Sequence, residues 1–274
     1  MCEYMSEELQ NWMGLLSNRR NDEYVLRIEA VLESQSDSRG GSLPFKALAS
    51  DNQVYWVKML SNTQSPQVPI TEQIVSQCGQ LIGAPVCATA ILQIPSELDG
   101  DMLDNGTRLV AGLAHGSKDL PNVSFGKWYE PEHRTKDDNR RRHSGYFALY
   151  DWCWGDDMQW LYDVSDDWKT YSHDHGHFFP GGVNWRSENL VECVDREHEI
   201  DPQASGLDDT ELRRLADRLA SIRQSELLDV LAAIPRGWPM SDRELETLGW
   251  FLYCRASGVA LRLRQLADRN VSKD

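Results

Sequence analysis

Helical periodicity is concentrated in the last third of the chain, and this asymmetry limits the folds open to it. One apolar-periodic segment spans residues 208–234, with Asp208 and Asp209 placed to cap its start and Pro235 to stop it. A second begins at Ser241, whose Ser241-x-x-Glu244 spacing is a capping box, and continues to about residue 270. The first hundred residues read differently. An opening helix over 6–16 and a polar turn over 17–22 lead to strand-like runs at 24–28, 43–49, 54–60 and 86–94. Ser50-Asp51-Asn52-Gln53 makes a hairpin turn between the second and third runs. A single helix is predicted over 70–82. Its apolar positions Ile70, Ile74, Val75, Cys78, Leu81 and Ile82 keep helical spacing, and Gly83 and Pro85 end it. The pattern predicts an α+β chain with a small mixed N-terminal lobe (residues 1–95), a mainly helical C-terminal lobe (residues 96–274) and a ligand cleft between them. No internal repeat or long low-complexity tract interrupts it.

The 274 residues, 41% hydrophobic and 26% charged, are enough to bury a substantial core. The formal net charge of −15 argues against nucleic acid or an anionic membrane as a partner, because the summed field repels polyanions. No run approaches the roughly 20 apolar residues that span a bilayer. The acidic start, Met1-Cys2-Glu3-Tyr4-Met5-Ser6-Glu7-Glu8, lacks the basic region of a secretory signal, so the expected location is cytoplasmic. The six cysteines, at 2, 78, 87, 153, 193 and 254, form no Cys-x-x-Cys pair and are expected to be reduced, mostly buried thiols.

Residues 95–144 read as irregular. Within them 130–143 is a charge run carrying Arg134, Lys136, Arg140, Arg141 and Arg142, expected to be a solvated, mobile loop. The aromatic residues that follow (Tyr146, Phe147, Tyr150, Trp152, Trp154, Trp160 and Tyr162) are expected to be mostly core.

Three features carry chemistry. Lys58, in Val54-Tyr55-Trp56-Val57-Lys58, shares a strand face with Trp56 and Val54, so it is an edge gatekeeper or a cation aimed into a cleft. Glu72, near the start of the next helix, tips the balance, since a strand lysine paired to a helix glutamate is how kinases hold nucleotide phosphates. The second feature is Trp154-Gly155-Asp156-Asp157-Met158-Gln159-Trp160. Two carboxylates hemmed in by tryptophans suggest that at least one is held at a site wall, where a base belongs. The third is Ser172-His173-Asp174-His175-Gly176-His177. As a strand it would put His173, His175 and His177 on one face as a zinc or iron site; alternatively, Asp174 before a turn-forming glycine is a magnesium ligand.

The order strand lysine, helix glutamate, acidic turn and Asp-x-Gly resembles the HipA-like kinases, a bacterial branch of the protein-kinase-like fold. The resemblance spans residues 43–180. It rests on Phe45-Lys46-Ala47, Tyr55-Trp56-Val57-Lys58, Thr71-Glu72-Gln73, Leu81-Ile82-Gly83-Ala84-Pro85-Val86, the acidic turn and His173-Asp174-His175-Gly176. It implies a bilobal protein-kinase-like fold. It also implies an ATP- and Mg2+-dependent transfer of the γ-phosphoryl group to a protein serine or threonine, with the chain itself among the candidate acceptors. In these terms Lys58 holds the ATP phosphates and Glu72 orients it. Asp156 or Asp157 is the catalytic aspartate, and Asp174 is the metal ligand. The backbone of Gly40, Gly41 and Ser42 covers the phosphates.

One position departs from the family pattern. The asparagine expected about five residues after the catalytic aspartate is Leu161 or Tyr162 in this chain, and Gln159 is the nearby amide left to assist the metal. Three alternatives follow: a pseudokinase that binds nucleotide without transfer, an interaction module using the charged 130–143 segment to contact a protein partner, and a metal enzyme built on the three histidines.

Overall fold

A computed structural model describes residues 7–19, 24–32, 42–126, 138–198 and 206–271. After a short helix α1 (Glu7–Gln10), five strands close into a small barrel: β1 (Val25–Val31), β2 (Phe45–Ala49), β3 (Val54–Met59), β4 (Thr89–Ile94) and β5 (Gly112–Lys118). The order around it is β1-β2-β3-β5-β4, with β1 parallel to β4 and the other pairs antiparallel. Strict alternation in β2 and β3 sends Phe45, Ala47, Ala49, Tyr55, Val57 and Met59 inward, where they meet Leu26, Ile28, Leu92 and Ala114. Lys46, Trp56 and Lys58 are thereby turned outward.

Helix α2 (Val68–Ile82) lies against the barrel and is buried on nearly every side, with Gly83 ending it in a left-handed conformation. The rest of the chain is α3 (Asn139–Cys153), a three-stranded antiparallel sheet of β6 (Val123–Gly126), β7 (Trp160–Asp163) and β8 (Lys169–Ser172), then α4 (Ser187–Cys193), α5 (Asp209–Ala220), α6 (Gln224–Ala232) and α7 (Asp242–Val271). Its large core, built on Trp152, Trp185, Phe179, Leu248 and Phe251, also takes in α2. The result is the bilobal α+β architecture, a small strand-rich lobe on a mainly helical one. No helix among the described residues is long and apolar enough to cross a membrane.

Several sequence expectations are corrected here. The strand unit does not end at residue 95, because β5 pairs with both β3 and β4 and completes the barrel. Its Gly112-Leu113-Ala114-His115-Gly116 run reads as a loop. Yet a Cβ on Gly116 would lie 2.6 Å from Leu92 Cδ1, so the glycine is what lets the barrel wall close. The charge run is helical from Asn139 onward, with Asn139 and His143 buried. Its basic side chains are held within the chain: Arg140 Nε donates to Gly206 O, Arg142 Nη1 to Asn139 Oδ1, and Arg141 meets Glu211. Arg134 and Lys136 lie outside the described residues. The long helix expected over 208–234 is two helices. Asp208 does cap the first, accepting from Glu211 N at 2.7 Å, but Glu226 Oε2 accepts from Arg223 N at 2.9 Å and starts a new helix there. The Ser241–Glu244 box forms as expected, Glu244 Oε2 accepting from Ser241 N and Ser241 Oγ from Glu244 N.

Candidate functional site

Because Val57 and Met59 fill the barrel, Lys58 points out of it toward α2, opposite His115 on β5. Its Nζ donates to Glu72 Oε1 at 2.5 Å and to Asp174 Oδ1 at 2.6 Å. The lysine and glutamate side chains are 11% and 4% exposed, whereas Asp174 is 32% exposed. Burial works against a charged lysine, but the two carboxylates outweigh it and hold the Lys58 pKa above its usual value. The Lys58 charge in turn keeps Asp174 well below the usual carboxylate range, against the cost of desolvation. The cluster is one ammonium between two carboxylates, one enclosed and one half-buried.

The Asp-x-Gly segment reaches α2 because of its glycine. A Cβ on Gly176 would sit 2.8 Å from Val68 Cγ1 and 3.6 Å from Glu72 Oε1, so a larger residue would lift the segment off the start of α2. Asp174 itself has a left-handed φ of 56°, which aspartate tolerates better than most residues.

The three histidines do not share a strand face, because β8 ends at Ser172. His175 is buried, its Nε2 2.8 Å from Ser172 Oγ and its Nδ1 3.3 Å from Ser76 Oγ; burial lowers its pKa to about 4. His173 packs against Phe125 at a ring separation of 6.0 Å and is likewise lowered to about 4 by burial. His177 turns to Gln64, 3.4 Å away. Three divergent imidazoles cannot share one ion. Among the described residues, no group of three or more His, Cys, Asp or Glu is placed to hold a metal. The histidine-metal reading is overturned on this geometry.

The acidic turn lies between α3, which Trp154 closes, and β7. Trp152 and Trp160 are buried as expected, but Asp156 and Asp157 are both exposed. The acid enclosed by apolar neighbours is instead Asp151. It accepts two hydrogen bonds from Arg262 at 2.7 Å and lies 3.3 Å from Arg255 Nη2, an ion cluster that shares no residue with the Lys58 triad. Gln159 Nε2 donates to Asp157 Oδ2 at 2.5 Å, so the amide expected to assist a metal is directed at the neighbouring acid. The main chain of Gln159 faces the Asp174 segment, with His173 N donating to its carbonyl at 3.4 Å.

Gly40 and Gly41 lie outside the described residues. Ser42 is buried, its carbonyl accepting from Asn62 Nδ2 at 3.1 Å.

Several residues of the site were not singled out from sequence. Lys46 lies 4.8 Å over the Trp56 ring and donates to Asp119 at 3.0 Å, on the same outer barrel face as Lys58. The signal that could have found it is strand alternation from Lys58 back to Trp56 and the hairpin register across to Lys46. His115, buried beside Lys58 with its pKa lowered to about 3, gave no signal because β5 reads as loop.

The oxygens that could meet a metal are those of the half-buried Asp174 and, on the turn before β7, of the exposed Asp156 and Asp157, all hard donors. Carboxylate oxygens of this kind suit a hard cation and not a zinc or iron cage.

Comparison with known proteins agrees with the fold. Residues 28–152 match the family model for HipA-like kinases, which bears out over that span the resemblance drawn from the motifs. The match includes Lys58 and Glu72 and ends before the acidic turn. Among solved structures, the proinflammatory kinase CtkA of Helicobacter pylori superposes with a TM-score of 0.54 at 12% identity, covering 88% of this chain and 96% of that one. This places the chain in the protein-kinase-like fold. The Golgi casein kinase is also matched, with a TM-score of 0.44 at 10% identity over 97% of this chain and 76% of that one. At that score the likeness carries no argument. No curated protein matches.

Proposed function

We propose that the chain is an ATP- and Mg2+-dependent kinase that passes a phosphoryl group to a protein hydroxyl, serine or threonine, its own included. The observation that carries this is the single ammonium of Lys58 bridging Glu72 on α2 and Asp174 in the segment after β8. A buried lysine kept charged is a point charge for phosphate oxygens, and Glu72 fixes its direction. The half-buried Asp174 carboxylate and the acidic turn are the residues that would hold Mg2+, whose chemistry is to offset charge on the phosphate oxygens. Asp157 is the better placed base of the two adjacent acids. Gln159 Nε2 donates to its carboxylate at 2.5 Å and fixes its position. Asp157 takes the proton of the acceptor hydroxyl as that oxygen bonds to the γ-phosphorus and the bond to the β-phosphate oxygen breaks, leaving ADP. The backbone of residues 40–42 is proposed to cover the phosphates. The acceptor class and the cytoplasmic setting rest on the family resemblance.

One observation favours a second reading. The Gln159 side chain faces Asp157 and not Asp174, so the metal has one amide ligand fewer than the family pattern supplies. Nucleotide binding without transfer would follow, the protein acting as a pseudokinase toward a protein partner. Incubation with γ-labelled ATP and Mg2+, with and without a mixture of basic and acidic protein acceptors, separates the two. Label transferred by the wild type and lost in Asp157→Asn supports the kinase. Binding of ATP with no label on any protein supports the pseudokinase.

A further inference from the structure

Tyr150 is fully buried near the end of α3, and its hydroxyl is the hub of a hydrogen-bonded chain running from α2 to the acidic turn. It accepts from Gln159 N at 2.9 Å and donates to Gln159 O at 3.1 Å, clasping both polar groups of that residue's main chain. Ser172 Oγ lies 3.4 Å from it, His175 Nε2 is 2.8 Å from Ser172 Oγ, and His175 Nδ1 faces Ser76 Oγ at 3.3 Å, with Glu72 Oε2 at 3.8 Å.

The donors run in one direction. Tyr150 has one proton and gives it to Gln159 O, so Ser172 donates to Tyr150. Ser172 has then given its own proton and must accept from His175 Nε2–H. That leaves Nδ1 to accept from Ser76. Every member of this buried chain is satisfied by one assignment, the condition under which such networks fix geometry.

The Gln159 carbonyl is also reached by His173 N from the Asp174 side, and the Gln159 side chain holds Asp157. One residue therefore sets where the exposed acid of the turn stands relative to Asp174, and Tyr150 sets that residue. We propose that Tyr150 is a positioning residue: its hydroxyl fixes the Gln159 peptide and so holds Asp157 in register with Asp174 for phosphoryl transfer. The inference rests on the kinase reading above. It assigns Tyr150 no contact with substrate.

The decisive variant is Tyr150→Phe, because the ring and its packing on Phe178, 4.8 Å between centroids, are retained. In the full chain with ATP and Mg2+, kcat should fall at least tenfold, since misplacement by about 1 Å costs on the order of 100-fold in rate. KM for ATP should stay within about twofold, because Lys58, Glu72 and Asp174 keep their contacts. Amide hydrogen exchange supplies a readout independent of turnover: protection should fall across residues 156–161 and persist through α2 and α7. Ser172→Ala, which leaves the Tyr150–Gln159 clasp intact, should have the smaller effect on both.

Unchanged exchange in the turn, or unchanged kcat, overturns the proposal. So does loss of protection throughout the molecule, which would make Tyr150 a general packing residue. If the wild type binds ATP but transfers nothing, the kinase reading has failed, and the exchange of residues 156–161 alone decides whether Tyr150 holds the turn.

Discussion

Lys58 and Asp174, 116 positions apart in the chain, meet at 2.6 Å and join the barrel to the helical lobe. With Glu72 they form a triad in which one positive charge serves two carboxylates. Removing it should be costly. Lys58→Met leaves Glu72 buried and uncompensated, a loss of about 3 kcal/mol by analogy with broken buried pairs. For a chain of this size the Tm should fall by roughly 6–12 °C. The double variant Lys58→Met/Glu72→Gln should recover part of that loss in thermal denaturation. Equal Tm values for the single and double variants would show that Glu72 does not depend on Lys58.

A different variant probes the close approach of Gly176 to α2. Gly176→Ala puts a methyl group 2.8 Å from Val68 Cγ1, pushing the Asp174 segment off Glu72 and Lys58. A loss of about 1–3 kcal/mol is expected, the usual cost of overpacking. Val68→Ala in the same chain should restore most of it, as read by urea denaturation.

The pH dependence follows from three buried imidazoles. His115 is lowered to about 3, and His173 and His175 to about 4, burial being the first cause in each. Between these values and the unfolded value of about 6.5, the unfolded chain binds protons that the folded chain refuses, so stability rises with pH across this window and is lost as pH falls through it. Asp174, held low by Lys58, contributes stability above its unfolded value near 4 and loses it only in stronger acid. Lys58, held high, keeps its contribution up to its unfolded value near 10.4 and loses it above. Urea unfolding between pH 7 and pH 4.5 should therefore show a falling free energy, with a shallower slope in His115→Gln. An unaltered slope in that variant would remove His115 from the account.

Asp151 is predicted to act in folding and not in chemistry. Asp151→Ala strips the carboxylate from Arg255 and Arg262, leaving the buried Arg255 guanidinium with carbonyl partners only, at a cost of about 3–5 kcal/mol. Thermal denaturation reads this loss. At a temperature where the variant is folded, its affinity for ATP should match the wild type.

Much of this site was legible in the sequence, because the parts that carry it are local signals. Strand alternation put Lys58 on one face with Trp56, the face that turns out of the barrel, and helical spacing with the Gly83 stop fixed α2 and so Glu72. The Ser241-x-x-Glu244 and Asp208 caps marked two helix starts correctly. What failed depended on packing at a distance. Gly116 in β5 imitates a loop until Leu92 is placed against it. α3 shows no apolar stripe because it is enclosed on several sides, polar at one end and aromatic at the other. The apolar surroundings of Asp156 and Asp157 were real, but they belong to Trp152, Trp160 and the enclosed Asp151. The alternation assumed for His173, His175 and His177 failed because β8 ends one residue before them. Tyr150 read only as core, since its hydroxyl finds its partners through the fold.

The central claim is that Lys58 and Asp174 together form a nucleotide–metal cleft, and calorimetric titration with ATP tests it most directly. The account predicts that the wild type binds ATP with Mg2+ present and far more weakly without it. Asp174→Asn should lose the metal-dependent part of that affinity while keeping a folded Tm. A folded wild type that binds no ATP in the presence of Mg2+, or whose affinity is the same in Asp174→Asn, would contradict it.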